Sequence, residues 1–398
     1  MTNILFLTFI IGITFGILAG ILPGIHTNTL QSIVLALHLP IESEHIAILL
    51  ASMAFSRLAF EAVPAILLFV PDEETVVSML PGHRLAHEGK AGMALNIYAF
   101  STVASAAFAS LLLPISLACF PLIYSVLHPF TSLALALACI AMVFSEPGFL
   151  DRFFALVCIL VSGALGWASF NSGLNDPFLP AFTGMFAIPA AIFALNSKTS
   201  NINLSQQNSE FKASSLLPLI FIGSVLGALA DLFPGMGSAA QIGLLVSFLV
   251  PFNSEGFLAF TAAISSSHLL FSLAASSSIG KARTGAAAAI ASVLGGLESN
   301  DLMMLVGTAL ISISISSAFL HLFSKRIAEE FGRFDHQFLN ISMLAFLPLL
   351  VYFTEGIRGL ILLGAASAAG AMPLLAGCKR VHLMGFIILP ALANSLIN

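Results

Sequence analysis

Arg57 and Glu61 lie four residues apart inside an apolar run, 46–70, that is long enough to cross a bilayer. On a helix the two share one face and can form an ion pair. A charge at membrane depth costs on the order of 3 kcal/mol unless it is paired or wet, so both residues require a chemical reason to be there. Either Arg57 meets a carboxylate ligand, or Arg57 and Glu61 neutralise each other as a structural pair. His268 occupies a similar place in a later apolar run, 257–280, and is either a second cation for the same ligand or a hydrogen-bonded packing residue. Each follows a serine, Ser56 and Ser267. Asp231 precedes Pro234 by three residues, where it either holds a coupling Na+ or H+ beside freed carbonyls or caps the segment that follows.

A second kind of chemistry belongs to the backbone. Pro23-Gly24-Ile25-His26-Thr27 and Pro234-Gly235-Met236-Gly237-Ser238 interrupt two long apolar stretches, 4–39 and 214–252, at positions 211 apart. Backbone without helical hydrogen bonds is tolerated at membrane depth only where it is buried in protein or lines a wet cavity. Paired interruptions therefore point to a transport site. Helices starting after each Pro-Gly would present free N–H groups and a positive dipole end to an anion, with Thr27, Asn28, Thr29, Ser238 and Gln241 adding hydroxyl and amide contacts. Gly12, Gly16, Gly223 and Gly227, spaced small-xxx-small before the breaks, are read as close-packing points.

The elements that must position these groups are membrane helices. The chain has 398 residues, 58% hydrophobic and 8% charged, with a mean hydropathy of +1.03, which excludes a soluble globule. An all-α, multi-pass bundle in the cell membrane, surrounded by lipid, is expected. The net charge of −5 says little about partners, because the few charges sit mostly in short connections, and nothing in the sequence suggests nucleic acid. Further apolar runs fall near 92–119, 130–146, 151–169, 178–196, 284–297, 302–323, 338–353, 358–377 and 382–396. Lys and Arg collect in alternate connections, at Arg84/Lys90, Arg152, Lys198/Lys212, Lys281/Arg283, Lys325/Arg326/Arg333 and Lys379/Arg380, which are therefore cytoplasmic; Arg358 breaks the alternation. The first run, from Ile4, lacks a preceding base and a small-x-small cleavage pattern, so it reads as a retained span.

The polar stretch from Asn196 to Lys212 divides the chain into two halves, 1–195 and 214–398, with 196–213 as linker. At the same offset of 211, Pro40 meets Pro251, Ser43-Glu44 meets Ser254-Glu255, Ser56 meets Ser267, Leu58 meets Leu269 and Phe60 meets Phe271. Two structural repeats, parallel or inverted, with broken or re-entrant helices are expected.

Cys119, Cys139, Cys158 and Cys378 show neither CxxC nor His/Cys spacing, so neither a zinc site nor a disulfide framework is expected. His83 and His87 have ligand spacing beside Glu88 but lack H-E-x-x-H and a third ligand, which favours a solvated segment over a metal site. Ser276-Ser277-Ser278 either lines a pathway or bonds back to its own helix.

These residues carry a family resemblance. Gly16-Ile-Leu-Ala-Gly20-Ile-Leu-Pro23-Gly24, Pro64-Ala-Ile-Leu-Leu-Phe-Val-Pro71, Gly89-Lys-Ala-Gly92-Met-Ala-Leu95, Phe178-Leu-Pro-Ala-Phe-Thr-Gly184 and Phe233-Pro234-Gly235-Met-Gly237 run in family order. With them the chain resembles the large membrane subunit of the tripartite tricarboxylate transporters, the TctA family, in a shorter archaeal-type branch. It departs from the family's usual pattern at His26 and at Ser265-Ser-Ser-His268. The resemblance implies a secondary permease for small di- or tricarboxylates, working with a small membrane subunit and an extracytoplasmic solute-binding protein. A homo-oligomer is compatible with it. Alternating access driven by Na+ or H+, with no other cofactor and no catalysis, is the expected mechanism. The alternatives are an intramembrane hydrolase, for which no paired-aspartate or Gly-x-Ser-x-Gly signature is present, and a passive anion channel.

Overall fold

The computed structural model describes residues 2–22, 27–67, 79–174, 177–196, 210–232, 253–333 and 336–397. Among them every regular element is helical. Eight helices are long and apolar enough to cross a membrane. The chain divides into two compact units, one from Met1–Ser125 with Ile202–Arg333 and the other from Val126–Asn201 with Phe334–Asn398.

The first unit is built on two helix pairs. Helix α1 (Thr2–Ile21) packs along α3 (Ser43–Phe60), with α2 (Thr27–Ala36) between them in sequence. Further helices α4 (Ala62–Leu67), α5 (Met79–His87) and α6 (Ala91–Leu127) complete the first segment of this unit. Burial separates the members of the pair: the window spanning α3 and α4 is 94% buried, whereas that of α1 is 33% buried. The outer helix is also the more apolar, with hydropathy 2.6 against 1.8, as expected when lipid solvates the outside and protein the inside.

Gly16 makes this contact possible. A Cβ there would collide with the Met53 carbonyl oxygen and the Ser56 hydroxyl of α3. The closeness lets Ser56 Oγ donate across the interface to the Ile13 carbonyl at 3.2 Å. Small residues and hydroxyl hydrogen bonds of this kind replace the hydrophobic drive that lipid removes.

The two remaining helices of the second unit's first segment, α7 (Thr131–Phe144) and α8 (Phe149–Phe170), are followed by α9 (Phe178–Phe182), a π-helical turn Thr183–Ala187 and α10 (Ile188–Asn196). The chain then returns to the first unit with α11 (Ala213–Ala230), α12 (Ser254–Ile279), α13 (Gly285–Leu294) and α14 (Ser299–Arg333). Helices α11 and α12 pack as a pair in their own right. Here Gly227 takes the close position, since a Cβ would strike the Ser267 hydroxyl and lie 2.9 Å from both the Ile264 carbonyl and the His268 N–H nitrogen. Helix α12 is the least apolar candidate span, at 1.6, and its window is 100% buried. Helix α6 ties the segments together: Ser105 Oγ donates to the Ala263 carbonyl at 2.6 Å and contacts Ser224 Oγ at 2.9 Å, and Ser266 Oγ donates to the Thr102 carbonyl at 2.9 Å.

One boundary differs from those read in the sequence. Helix α6 continues through Pro114 and Pro121, across most of the stretch 120–129 read as a connection. Its 37 residues would extend about 55 Å, well beyond a hydrocarbon core of roughly 30 Å. Prolines interrupt a membrane helix less severely, because neighbouring helices re-satisfy the freed groups. The runs 338–353 and 358–377 form the two arms of α15 (His336–Ala376), which meet at a kink where Gly356 takes φ 64° and leaves the helical conformation. Only glycine enters that conformation without strain.

The second unit closes with a 3₁₀ turn, Arg380–Met384, and α16 (Gly385–Ile397). Arg380 Nη2 donates to the Phe186 carbonyl at 2.5 Å and the Met185 carbonyl at 3.3 Å, satisfying oxygens that the π-turn leaves exposed. Glu146, between α7 and α8, fastens this end: its Oε1 accepts from His382 Nε2 at 2.8 Å and from the Lys379 N–H at 2.9 Å. Burial pushes the Glu146 carboxyl up, but these two bonds and the nearby positive charges outweigh it and hold it below its ordinary value. A depressed carboxyl contributes stability above its unfolded pKa, near 4.3, that is lost as pH falls through the folded value. Glu146→Gln should therefore lower the unfolding midpoint at neutral pH and flatten its decline below about pH 4, as measured by thermal unfolding in detergent across pH.

Candidate functional site

Both ionisable clusters singled out by the sequence lie in the first unit, where an outer helix ends against an inner one. At the end of α1, Gly20 faces the Arg57 carbonyl, which a Cβ would approach to 3.0 Å. Arg57 is 4% exposed and Glu61 1%. Arg57 Nη1 donates to Glu61 Oε2 at 3.1 Å, and Tyr98 Oη, arriving from α6, donates to Glu61 Oε1 at 2.7 Å. Both carboxylate oxygens of Glu61 are thus occupied. The helical spacing predicted the Arg57–Glu61 contact; nothing in the sequence predicted Tyr98.

At the end of α11, Asp231 occupies the place corresponding to Gly20 and supplies a side chain instead of a gap. It is fully buried, and its Oδ2 lies 3.3 Å from Nδ1 of His268, itself 3% exposed. Asp231 is also the residue that terminates α11. Its carbonyl accepts from Arg283 Nε at 2.9 Å. Arg283 stands in the turn after Gly280, where the left-handed φ of 65° ends α12 and folds the chain back. That turn is fixed by Ser272 Oγ, which accepts from the N–H groups of Arg283 and Thr284 at 2.9 Å each. Arg283, at the carbonyl end of α11, complements the negative end of that helix dipole.

Other expected contacts are placed as follows. Thr27, on the first turn of α2, is 3% exposed. Pro23, Gly24, Pro234, Gly235, Gly237, Ser238 and Gln241 lie outside the described residues, as do the side chains of Asn28 and Thr29. The hydroxyls of Ser56 and Ser267 sit in the two helix crossings, where Ser267 Oγ donates to the Ala263 carbonyl of its own helix at 2.7 Å. Gln31 was missed by the sequence reading: it is 1% exposed on α2, its Nε2 donates to the Leu50 carbonyl at 3.1 Å, and its Oε1 is buried without a partner. Its amide among apolar neighbours at one-turn spacing from Thr27 was the available signal.

Two peripheral candidates have ordinary explanations. Ser278 Oγ donates to the Ala274 carbonyl of its own helix at 2.8 Å, while Ser277 lines an open recess of about 400 Å³ with Leu297, Glu298, Ser299 and Asn300. Arg84 Nε lies 3.5 Å from Glu88, and Lys90 Nζ lies 3.0 Å from it. The Lys90 hydrogen bond and charge hold the Glu88 carboxyl below its ordinary value. The side chains of His83 and His87 lie outside the described residues.

Comparison with known proteins adds three findings. The chain is 26% identical over 401 residues to an uncharacterized protein of Methanocaldococcus jannaschii, an alignment covering 98% of each chain. No solved structure matches it. Residues 6–385 match the family described as "Tripartite tricarboxylate transporter TctA family". With that match over nearly the whole length of a protein that has eight candidate membrane spans among its described residues, the chain belongs to the tripartite tricarboxylate transporter TctA family and is a multi-pass membrane transporter component.

Proposed function

We propose that this chain is a secondary active permease for small di- or tricarboxylates, working by alternating access and driven by a Na+ or H+ gradient. The observation that carries the reading is the placement of buried ionisable groups where α1 and α11 end: Arg57, whose backbone meets Gly20 three residues before the first Pro-Gly, and His268, which meets Asp231 three residues before the second. Two repeats, 1–195 and 214–398, joined by the linker 196–213, account for that arrangement. Support comes from α3 and α12 starting at Ser43 and Ser254, and from Gly16 and Gly227 meeting Ser56 and Ser267 in the same way.

In this reading the substrate carboxylates are held between the two breaks by the N–H groups after Pro23-Gly24 and Pro234-Gly235-Met-Gly237, by Thr27, Asn28, Thr29, Ser238 and Gln241, and by the cations Arg57 and His268 with Ser56 and Ser267 beside them. Helix N-termini and cations together suit an anion in a site shielded from water. The family works as a tripartite system, so a small membrane subunit and an extracytoplasmic solute-binding protein are proposed partners, and self-association is compatible with it. The chain performs no catalysis in this scheme.

The test is uptake of radiolabelled di- and tricarboxylates into proteoliposomes, with the chain alone and with candidate partner subunits, under imposed Na+ and proton gradients. Saturable, gradient-driven accumulation is expected. Ohmic conductance without accumulation would identify an anion channel, and a chemically altered product would identify an enzyme; either overturns the permease.

A further inference from the structure

Asp231 is a fully buried acid that stands against a buried histidine, and its surroundings bear on the two coupling ions left open above. An alkali cation is hard and is held by a cage of oxygens. Among the described residues no such cage is assembled at Asp231. The backbone carbonyl, the natural second ligand at a helix end, is taken by Arg283 Nε at 2.9 Å. The carboxylate Oδ2 faces an imidazole nitrogen at 3.3 Å rather than another oxygen. The Arg283 guanidinium, stacked 5.7 Å over the Tyr124 ring, brings a permanent positive charge to the place where a metal cation would have to sit. A proton needs none of the missing ligands. It needs a base that is buried, shared and able to return to neutrality, and Asp231 with His268 provides one.

We propose that the Asp231–His268 pair is a proton-binding site and that the proton is the coupling ion, an assignment that rests on the permease reading. Deprotonated, Asp231 with a neutral His268 carries one negative charge in a fully buried position, offset in part by Arg283 at the same helix end. That state is costly among apolar helices. Loading one proton, shared between Oδ2 and Nδ1, brings the pair to neutrality. No bond other than those to the proton forms or breaks. The charge of this helix end thus follows proton occupancy, which supplies two electrostatically distinct states at the break.

Few other charges interfere. Besides His268 and Arg283, the Ser272 hydroxyl acts on the carboxyl. Helix α3 contributes Arg57, paired with Glu61 at its end, and Glu44 and His45 in its first turn, His45 lying 3.4 Å from Glu42; α6 contributes Tyr98, which donates to Glu61, Tyr124 under Arg283, and Cys119. Arg84 of α5 pairs with Glu88, the side chains of His83 and His87 lie outside the described residues, and α13 carries no acid or base. On α14, Asp301 is half-buried, and His321, Lys325, Arg326, Glu329 and Glu330 are exposed.

The first experiment requires no substrate. Purified chain in nanodiscs is titrated between about pH 5 and 9 by infrared difference spectroscopy, following the C=O stretch of protonated carboxyls in wild type, Asp231→Asn, Asp231→Glu and His268→Gln. A band that is lost in Asp231→Asn, shifted but retained in Asp231→Glu, and displaced to higher pH by about one unit or more in His268→Gln supports the site, because removing the imidazole removes the partner that favours the ionised carboxyl. A band unaffected by Asp231→Asn, or one abolished by Na+ at constant pH, overturns it. The near-isosteric Asn and the Glu variant guard against a folding defect being read as loss of the proton. Uptake of labelled citrate and succinate then tests coupling. Accumulation driven by an inward proton gradient without Na+, reduced at least tenfold in Asp231→Asn, supports the proposal. Accumulation that requires Na+ overturns it and leaves the permease standing. Ohmic conductance overturns the permease, and proton coupling with it, whatever the infrared titration shows.

Discussion

Replacing Arg57 with alanine is expected to remove transport and to destabilise the first unit by about 3–5 kcal/mol, because it removes the guanidinium that pairs with the buried Glu61 carboxylate. Breaking one side of a buried pair is far more costly than removing both. Arg57→Met combined with Glu61→Gln should therefore recover most of the lost unfolding midpoint, since a glutamine still accepts from Tyr98 Oη and the remaining groups are neutral. The two explanations of Arg57 separate at this point. If it contacts substrate, the double variant is stable and does not accumulate carboxylates; if it serves only Glu61, stability and uptake return together. Denaturant midpoints in detergent, read beside proteoliposome uptake, decide between them.

What the sequence reveals about this protein follows the range of the interaction. The Arg57–Glu61 pair is local, one helical turn long, and its spacing alone predicts it. Tyr98 is 37 positions from Glu61, and Arg283 is 52 from Asp231, so neither partner could be named before the helices were packed. Arg283 was read as a loop cation; the turn at Gly280 returns it to the end of α11. Glu146 and His382 are 236 positions apart and carried no signal at all. Membrane class and helical content, by contrast, follow from composition, because a chain with so few charges has no other way to satisfy its backbone. Helix boundaries were legible only in part: the gap between the runs 92–119 and 130–146, which holds Pro121, looks like a connection, yet α6 passes through it as it does through Pro114. Gly356, an unremarkable residue in the sequence, is where the long α15 turns.

The burial pattern explains why the informative residues are where they are. In water the polar side chains would face outward; here α12 is both the least apolar span and the most buried, and its serines bond to α6 and to its own backbone. Lipid leaves hydrogen bonds and close contact as the forces that hold helices together. A residue that must combine close contact with chemistry is then confined to the inner helix of each pair, with a glycine opposite it on the outer one. Ser56 opposite Gly16 and Ser267 opposite Gly227 meet that requirement one position before Arg57 and His268.

The glycines should accordingly be as intolerant as the charges, and unequally so. Gly16→Leu and Gly227→Leu are expected to abolish assembly of their helix pairs, because a branched side chain has no space at either crossing. Alanine is the more informative change, at about 1–3 kcal/mol for forced overpacking. At Gly227 the severe collision is with the Ser267 hydroxyl, while backbone atoms of Ile264 and His268 lie at 2.9 Å, so Ser267→Ala should rescue Gly227→Ala substantially. At Gly16 the Met53 carbonyl oxygen collides as well as the Ser56 hydroxyl, and a backbone atom cannot be deleted. Ser56→Ala should therefore rescue Gly16→Ala little, and it also loses the hydrogen bond to the Ile13 carbonyl. Unfolding midpoints of the four variants and the two doubles measure this difference. Equal rescue at both crossings would mean that the α1–α3 pair yields by sliding, and that its close approach is not what fixes Arg57 at the end of α1.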